Sequence, residues 1–191
     1  DHIMGLYFLT AFKVPEIHLY GEARQGVDFR RQLESVIGQP YWPVGLENVP
    51  ARISLHEIAP GDQVVLPRGE GDLLVSTLRG NHPNESLLFR AELDGKRVTY
   101  ALDCEMGGDM DARLAEFARD SGLLIWDATF TRADKRPGWG HSPWEEGLAV
   151  ARAAGAERGL MTHYSRNYTD SFLREQELLA KREFSACLFA R

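Results

Sequence analysis

Between Arg52 and Ala101 the chain alternates apolar runs with compact turn signals: Pro-Gly-Asp at 60–62, Arg-Gly-Glu-Gly-Asp at 68–72, Asn-His-Pro-Asn at 81–84 and Asp-Gly-Lys at 94–96. Runs bounded in this way predict β-strands joined as antiparallel hairpins. After Asp103 the rhythm changes. Helices are expected at 110–119, 143–154 and 170–181, with strands at 123–126 and 159–162 between them, so strands now alternate with helices. Upstream, residues 3–12 are apolar, and 17–20 followed by Gly21 read as a short strand ending in a turn. Val27, Phe29, Leu33, Val36 and Ile37 approximate a helical stripe that stops at Gly38 and Pro40.

The helix after His141 has a clear start signal. Ser142-Pro143-Trp144-Glu145 offers a Ser cap, Pro at the first helical position and Glu three residues after the cap. His141 is therefore expected just outside a helix N-terminus. No internal repeat, low-complexity segment or long linker divides the chain, which predicts a single domain over residues 1–191.

Composition changes this picture little: 191 residues, 43% hydrophobic and 26% charged, are ordinary for a soluble domain with a sizeable core. The formal charge of -6 argues against a general nucleic-acid binder, since affinity for a polyanion rests on clustered Lys and Arg. Cys104 and Cys187 form no CxxC pair and support neither a zinc ribbon nor a disulfide scaffold. A reducing cytoplasm is the expected compartment. No apolar run approaches the roughly 20 residues that cross a bilayer.

The chemistry lies in residues at the ends of apolar runs. Asp1-His2 looks like the second half of a His-x-His-x-Asp-His metal motif. His82, Asp103 and His163 each follow a strand-like run whose packing would hold a ligand still. Imidazole nitrogens and carboxylate oxygens suit zinc, manganese or iron, and a pair of ions needs several His and a bridging carboxylate. Taken singly, a His after a strand is more often a surface or hydrogen-bonded residue. Asp103 by itself equally suits capping the helix that begins near Asp109 or closing a turn. His18 and His56 match no motif and are expected to be structural or solvent-facing.

The ordered set is more specific. Asp-His-Ile-Met-Gly-Leu at 1–6, Pro-Tyr-Trp-Pro-Val at 40–44, Asn-His-Pro at 81–83, Tyr-Ala-Leu-Asp at 100–103, Leu-Ile-Trp-Asp-Ala-Thr-Phe at 124–130, Gly-His-Ser-Pro at 140–143 and Thr-His-Tyr-Ser at 162–165 resemble, in that order, a metallo-β-lactamase-fold hydrolase. The branch they resemble is that of ribonuclease Z and the cyclic phosphodiesterases. The resemblance implies an α/β (α+β) fold, a four-layer αββα sandwich, of which the amino-terminal strands and the first two His of the motif are missing from this sequence. It implies two divalent ions, zinc before manganese or iron. Asp1, His2 and His163 would serve one metal site, His82 the other, and Asp103 would bridge both. Asp1 and His141 would take part in catalysis, with Asp127 orienting His141, although Trp126-Asp127 departs from the His-Glu usual in ribonuclease Z. Trp139 and Trp144 flank His141 and either line a pocket or pack on the core.

The activity so implied is hydrolysis of a small-molecule phosphodiester or related ester by a metal-bound hydroxide. Only 20 residues separate His82 from Asp103, where ribonuclease Z commonly inserts an RNA-gripping arm, so a nucleic-acid substrate is not expected. The aromatics of the 40–43 loop suit a homodimer contact. The alternative function is a catalytically silent metal- or ligand-binding sensory or interaction domain, which fold alone does not exclude. A di-iron oxidoreductase is weaker, because no flavin-binding signal accompanies the site.

Overall fold

The computed structural model describes residues 3–11, 13–69 and 71–190. The chain divides into two units, Asp1–Ala59 and Pro60–Arg191. In the first, a 3₁₀ segment (Met4–Ala11) precedes strand β1 (Glu16–Gly21), helix α1 (Phe29–Val36), a 3₁₀ turn (Leu46–Asn48) and strand β2 (Arg52–Glu57). Asp28 caps α1, its carboxylate accepting from the Arg31 amide at 2.8 Å. Leu33, Ile37 and Leu46 are buried against Leu19, Phe29, Ile53 and Leu55. Gly21 is required where it stands, because a Cβ there would lie 2.2 Å from the Phe29 ring.

Here the hairpin expectation fails at one end. β2 pairs with β1, in parallel, from Glu16 opposite Arg52 to Gly21 opposite Glu57. A helix lies between the two strands, and a crossover of that kind is what parallel pairing needs. His18 and His56 meet on this ladder, Nδ1 to Nε2 at 2.8 Å, and the His56 ring stacks on Tyr20.

The second unit is built on a seven-stranded sheet in sequence order. β3 (Gln63–Pro67), β4 (Asp72–Gly80), β5 (Ser86–Leu93) and β6 (Lys96–Ala101) pair antiparallel, as the turn signals predict. β6, β7 (Leu123–Asp127), β8 (Gly159–Thr162) and β9 (Cys187–Phe189) are parallel, with α2 (Met110–Phe117), α3 (Trp144–Ala154) and α4 (Asp170–Glu183) as the connections. The core lies where Leu88, Ala101, Leu124, Trp126, Met161 and Phe189 of the sheet meet Met110, Leu114, Trp144, Leu148 and Leu173 of the helices. Trp126 is fully buried and its indole donates to the Pro143 carbonyl at 3.1 Å. Gly147 of α3 sits over that indole, where a Cβ would come within 2.5 Å of the ring.

The start of α3 differs from the expected cap. Trp144 is the first helical residue and Pro143 occupies the capping position without a side-chain bond. Ser142, fully buried, instead donates to the Cys104 carbonyl at 2.8 Å and accepts from the Met106 amide at 3.0 Å. Its hydroxyl ties the loop after β6 to the loop after β7, and both oxygens of Glu145 accept from the Arg132 amide instead of the cap. Among the described residues, no helix is long and apolar enough to cross a membrane.

Candidate metal centre

Parallel strands deliver their C-terminal ends to one edge of a sheet, where ligands of open α/β sheets gather. β6 leads into Asp103, β7 ends at Asp127, β8 leads into His163, and the loop after β7 returns through His141 to α3. One ligand atom from each of these four residues lies within 4.8 Å of the other three.

Two of them sit on strained backbone. Asp103 and His163 adopt φ of 51° and 59°, the left-handed region that non-glycine residues visit at a cost. The surrounding bonds hold them there. The Ser86 hydroxyl donates to the Asp103 carbonyl at 2.7 Å, and Thr129 Oγ1 lies 2.8 Å from the His163 carbonyl. The same hydroxyl is 2.6 Å from Asp127 Oδ1 and 2.9 Å from His163 Nδ1. Having one proton to give, it donates to an oxygen and accepts from Nδ1–H.

That tautomer turns His163 Nε2 toward Asp103, 3.3 Å from Oδ1. An imidazole lone pair and a carboxylate oxygen at this separation can both serve as ligands to one cation. The hydrogen bond to Asp127, outweighing burial and joined by the charges of Asp127 and Asp103, raises the pKa of His163 above its ordinary value. A mixed nitrogen and oxygen set of this kind fits zinc, manganese or iron.

Asp127 has no exposed surface. Burial pushes its carboxyl up, but hydrogen bonds from His141, His163 and Thr129 outweigh that and leave it at about 2. Its Oδ2 is 2.7 Å from His141 Nδ1. Asp103 Oδ1 is 3.7 Å from the same nitrogen.

Of the expected site residues, the structure brings Asp103, Asp127, His141 and His163 together. His82 stands beside the group rather than in it: its ring packs edge-on against His141 at 5.4 Å, and its Nδ1 faces the Asn84 amide at 3.4 Å. Asp1 and His2 lie outside the described residues. Thr129 and Glu105 were not expected. Thr129 had a signal, because an Asp commonly bonds the backbone two residues on, as Asp127 Oδ1 does with the Thr129 amide at 3.0 Å. Glu105, whose carboxylate holds the Gly138 and Gly140 amides at 2.9 Å, had none.

Ribonuclease Z of Pseudomonas putida is 35% identical over 111 residues, 54% of this chain and 34% of that protein, so the chain spans about a third of that relative. The metallo-β-lactamase fold protein YhfI from Bacillus subtilis superposes with a TM-score of 0.69 at 22% identity, covering 100% of this chain and 71% of that one. The short form of human tRNase Z gives 0.66 at 19%, covering 99% and 70%. The fold is the mixed α/β metallo-β-lactamase fold. Residues 1–164 match the family model described as the Beta-lactamase superfamily domain, and the chain belongs to that family.

Proposed function

We propose that this chain carries most of the metal centre of a metal-dependent hydrolase acting on phosphodiesters. The carrying observation is the facing pair His163 Nε2 and Asp103 Oδ1, 3.3 Å apart on strained backbone, with Asp127 and His141 within the same 4.8 Å cluster. Asp103, His163, His82, Asp1 and His2 would hold the divalent ions, zinc before manganese or iron. When bound, the ions supply Lewis acidity and a water acidified toward neutral pH.

The chain's own residues do the rest. Asp127 stays ionised, keeps a proton on His141 Nδ1 and so fixes which ring nitrogen faces away from it. In its doubly protonated form, with Asp127 balancing the charge, His141 then donates from Nε2–H to the anionic phosphoryl group or passes that proton to the departing oxygen. Thr129 holds Asp127 and His163 in register.

A small phosphodiester is the first choice of substrate because of the acidic charge. The similarity to ribonuclease Z favours RNA as a second reading. Both are tested by turnover of bis(4-nitrophenyl) phosphate and of a short RNA by the metal-loaded protein. His141→Ala should lower kcat by about 10²–10⁴ with little change in KM. Wild-type rates in that variant would remove His141 from the mechanism, and no metal-dependent turnover of either substrate would sink the hydrolase.

A further inference from the structure

The loop from Thr131 to Ser142 does more than return the chain to α3. It lifts a large aromatic side chain into solvent, Trp139 being 56% exposed, two residues before His141. The guanidinium of Arg136 lies over that indole, 4.8 Å from the ring centre. Among the described residues, no carboxylate pairs with Arg136.

An exposed tryptophan at a loop tip is ordinarily loose, and this one is tied from several sides. The Trp139 amide donates to the Arg136 carbonyl at 3.3 Å, closing a turn. Glu105 accepts from both neighbouring amides, Gly138 and Gly140. At the loop's base Thr131 bonds Asp134 at 2.7 Å, and Lys135 pairs with Glu146 at 2.8 Å. The tip is also seated on the site, since a Cβ at Gly140 would lie 2.2 Å from the His82 ring. An anchored loop, packed at Gly140 against His82, therefore carries an exposed indole backed by a cation two residues before His141, in a chain whose overall charge is negative.

Such a surface has a chemical preference. An indole face stacks planar heteroaromatic rings, a guanidinium attracts phosphate, and an anchored loop lowers the ordering cost of binding. We infer that Arg136 and Trp139 form a nucleobase platform, and that the phosphodiester cleaved here is a mononucleotide-sized ester carrying a base. The inference rests on the proposed phosphodiesterase reading for its substrate but not for its test.

Binding separates the two. AMP and ribose 5-phosphate, which differ by the base alone, would be titrated calorimetrically into the metal-loaded wild type, Trp139→Ala and Trp139→Phe proteins. AMP should bind about tenfold tighter than ribose 5-phosphate to the wild type. Trp139→Ala should erase that preference and Trp139→Phe should keep most of it, while Arg136→Gln should weaken both ligands. Equal affinities for the two ligands in the wild type, or an unchanged preference in Trp139→Ala, would overturn the platform even if the enzyme hydrolyses phosphodiesters. A tetra-adenylate binding more than tenfold tighter than AMP would overturn the mononucleotide size in favour of an RNA end. Loss of turnover with the preference intact would instead count against the hydrolase reading alone.

Discussion

His141 Nδ1 lies 2.7 Å from Oδ2 of Asp127, a carboxylate with no exposed surface. A buried acceptor of this kind fixes the tautomer of the ring it holds. Asp127→Asn keeps the shape and removes the charge, so the imidazole is free to present the wrong nitrogen. We expect kcat to fall by about a hundredfold or more while KM moves little, measured by steady-state kinetics of the metal-loaded protein. A parallel loss of folding, seen by circular dichroism, would instead assign the pair to stability.

The same carboxylate gives the chelator-treated protein an acid limb. Its folded pKa of about 2 is below the ordinary carboxyl value, so its contribution is present above about pH 4 and lost as pH falls toward 2. The size is roughly 2 kcal/mol for a shift of this extent. His163 has the opposite sign: its pKa is raised, so its contribution holds at low pH and fades as pH rises through the folded value. Thermal melts between pH 3 and 6 should therefore show stability dropping at the acid end, and Asp127→Asn should flatten that drop.

Two glycines in one loop separate strain from collision. Gly138 and Gly140 have φ of 79° and 80°, but a Cβ on Gly138 meets nothing within 4 Å whereas one on Gly140 meets His82 and Pro83 at 2.2 and 2.6 Å. Gly138→Ala should cost about 1 kcal/mol of backbone strain alone, and Gly140→Ala about 2–3 kcal/mol. Denaturant titration of both variants checks the order. Gly140→Ala should also lower metal affinity by displacing His82, and Gly138→Ala should not.

Both thiols are buried. Burial pushes Cys104 up to about 11 and Cys187 up to about 12. Since the thiolate is the reactive form, Ellman's reagent at pH 8 should find almost no fast-reacting thiol in the native protein and two after denaturation. A fast-reacting thiol before denaturation would contradict this packing.

Much of the second unit was legible because its strands are punctuated by turn chemistry and its helices by period. β8 falls at Gly159–Thr162, where the pattern put it, and β7 extends only to Asp127 beyond the expected end. Two members of the cluster, Asp103 and His163, were legible for the same reason, since they stand after strands, whereas Asp127 and His141 came from the resemblance. What local pattern could not supply was partner choice. Nothing in 52–57 says that its neighbour is the parallel β1 across a helix. Nothing in Ser142-Pro143-Trp144-Glu145 says that Cys104 and Met106, distant in sequence, compete for the hydroxyl. His82 was read, like Asp103 and His163, from its place after a strand-like run, and side-chain packing against His141 sets it beside the cluster.

The central claim is that Asp103, Asp127, His141 and His163 frame a metal site, and metal content tests it most directly. The protein would be stripped with chelator, reloaded with zinc or manganese, desalted and assayed by plasma mass spectrometry, alongside Asp103→Ala and His163→Ala. At least one equivalent retained by the wild type, with each variant weakened tenfold or more, is the expected result. A wild-type protein that retains no metal, or variants that retain as much as it does, would contradict the account.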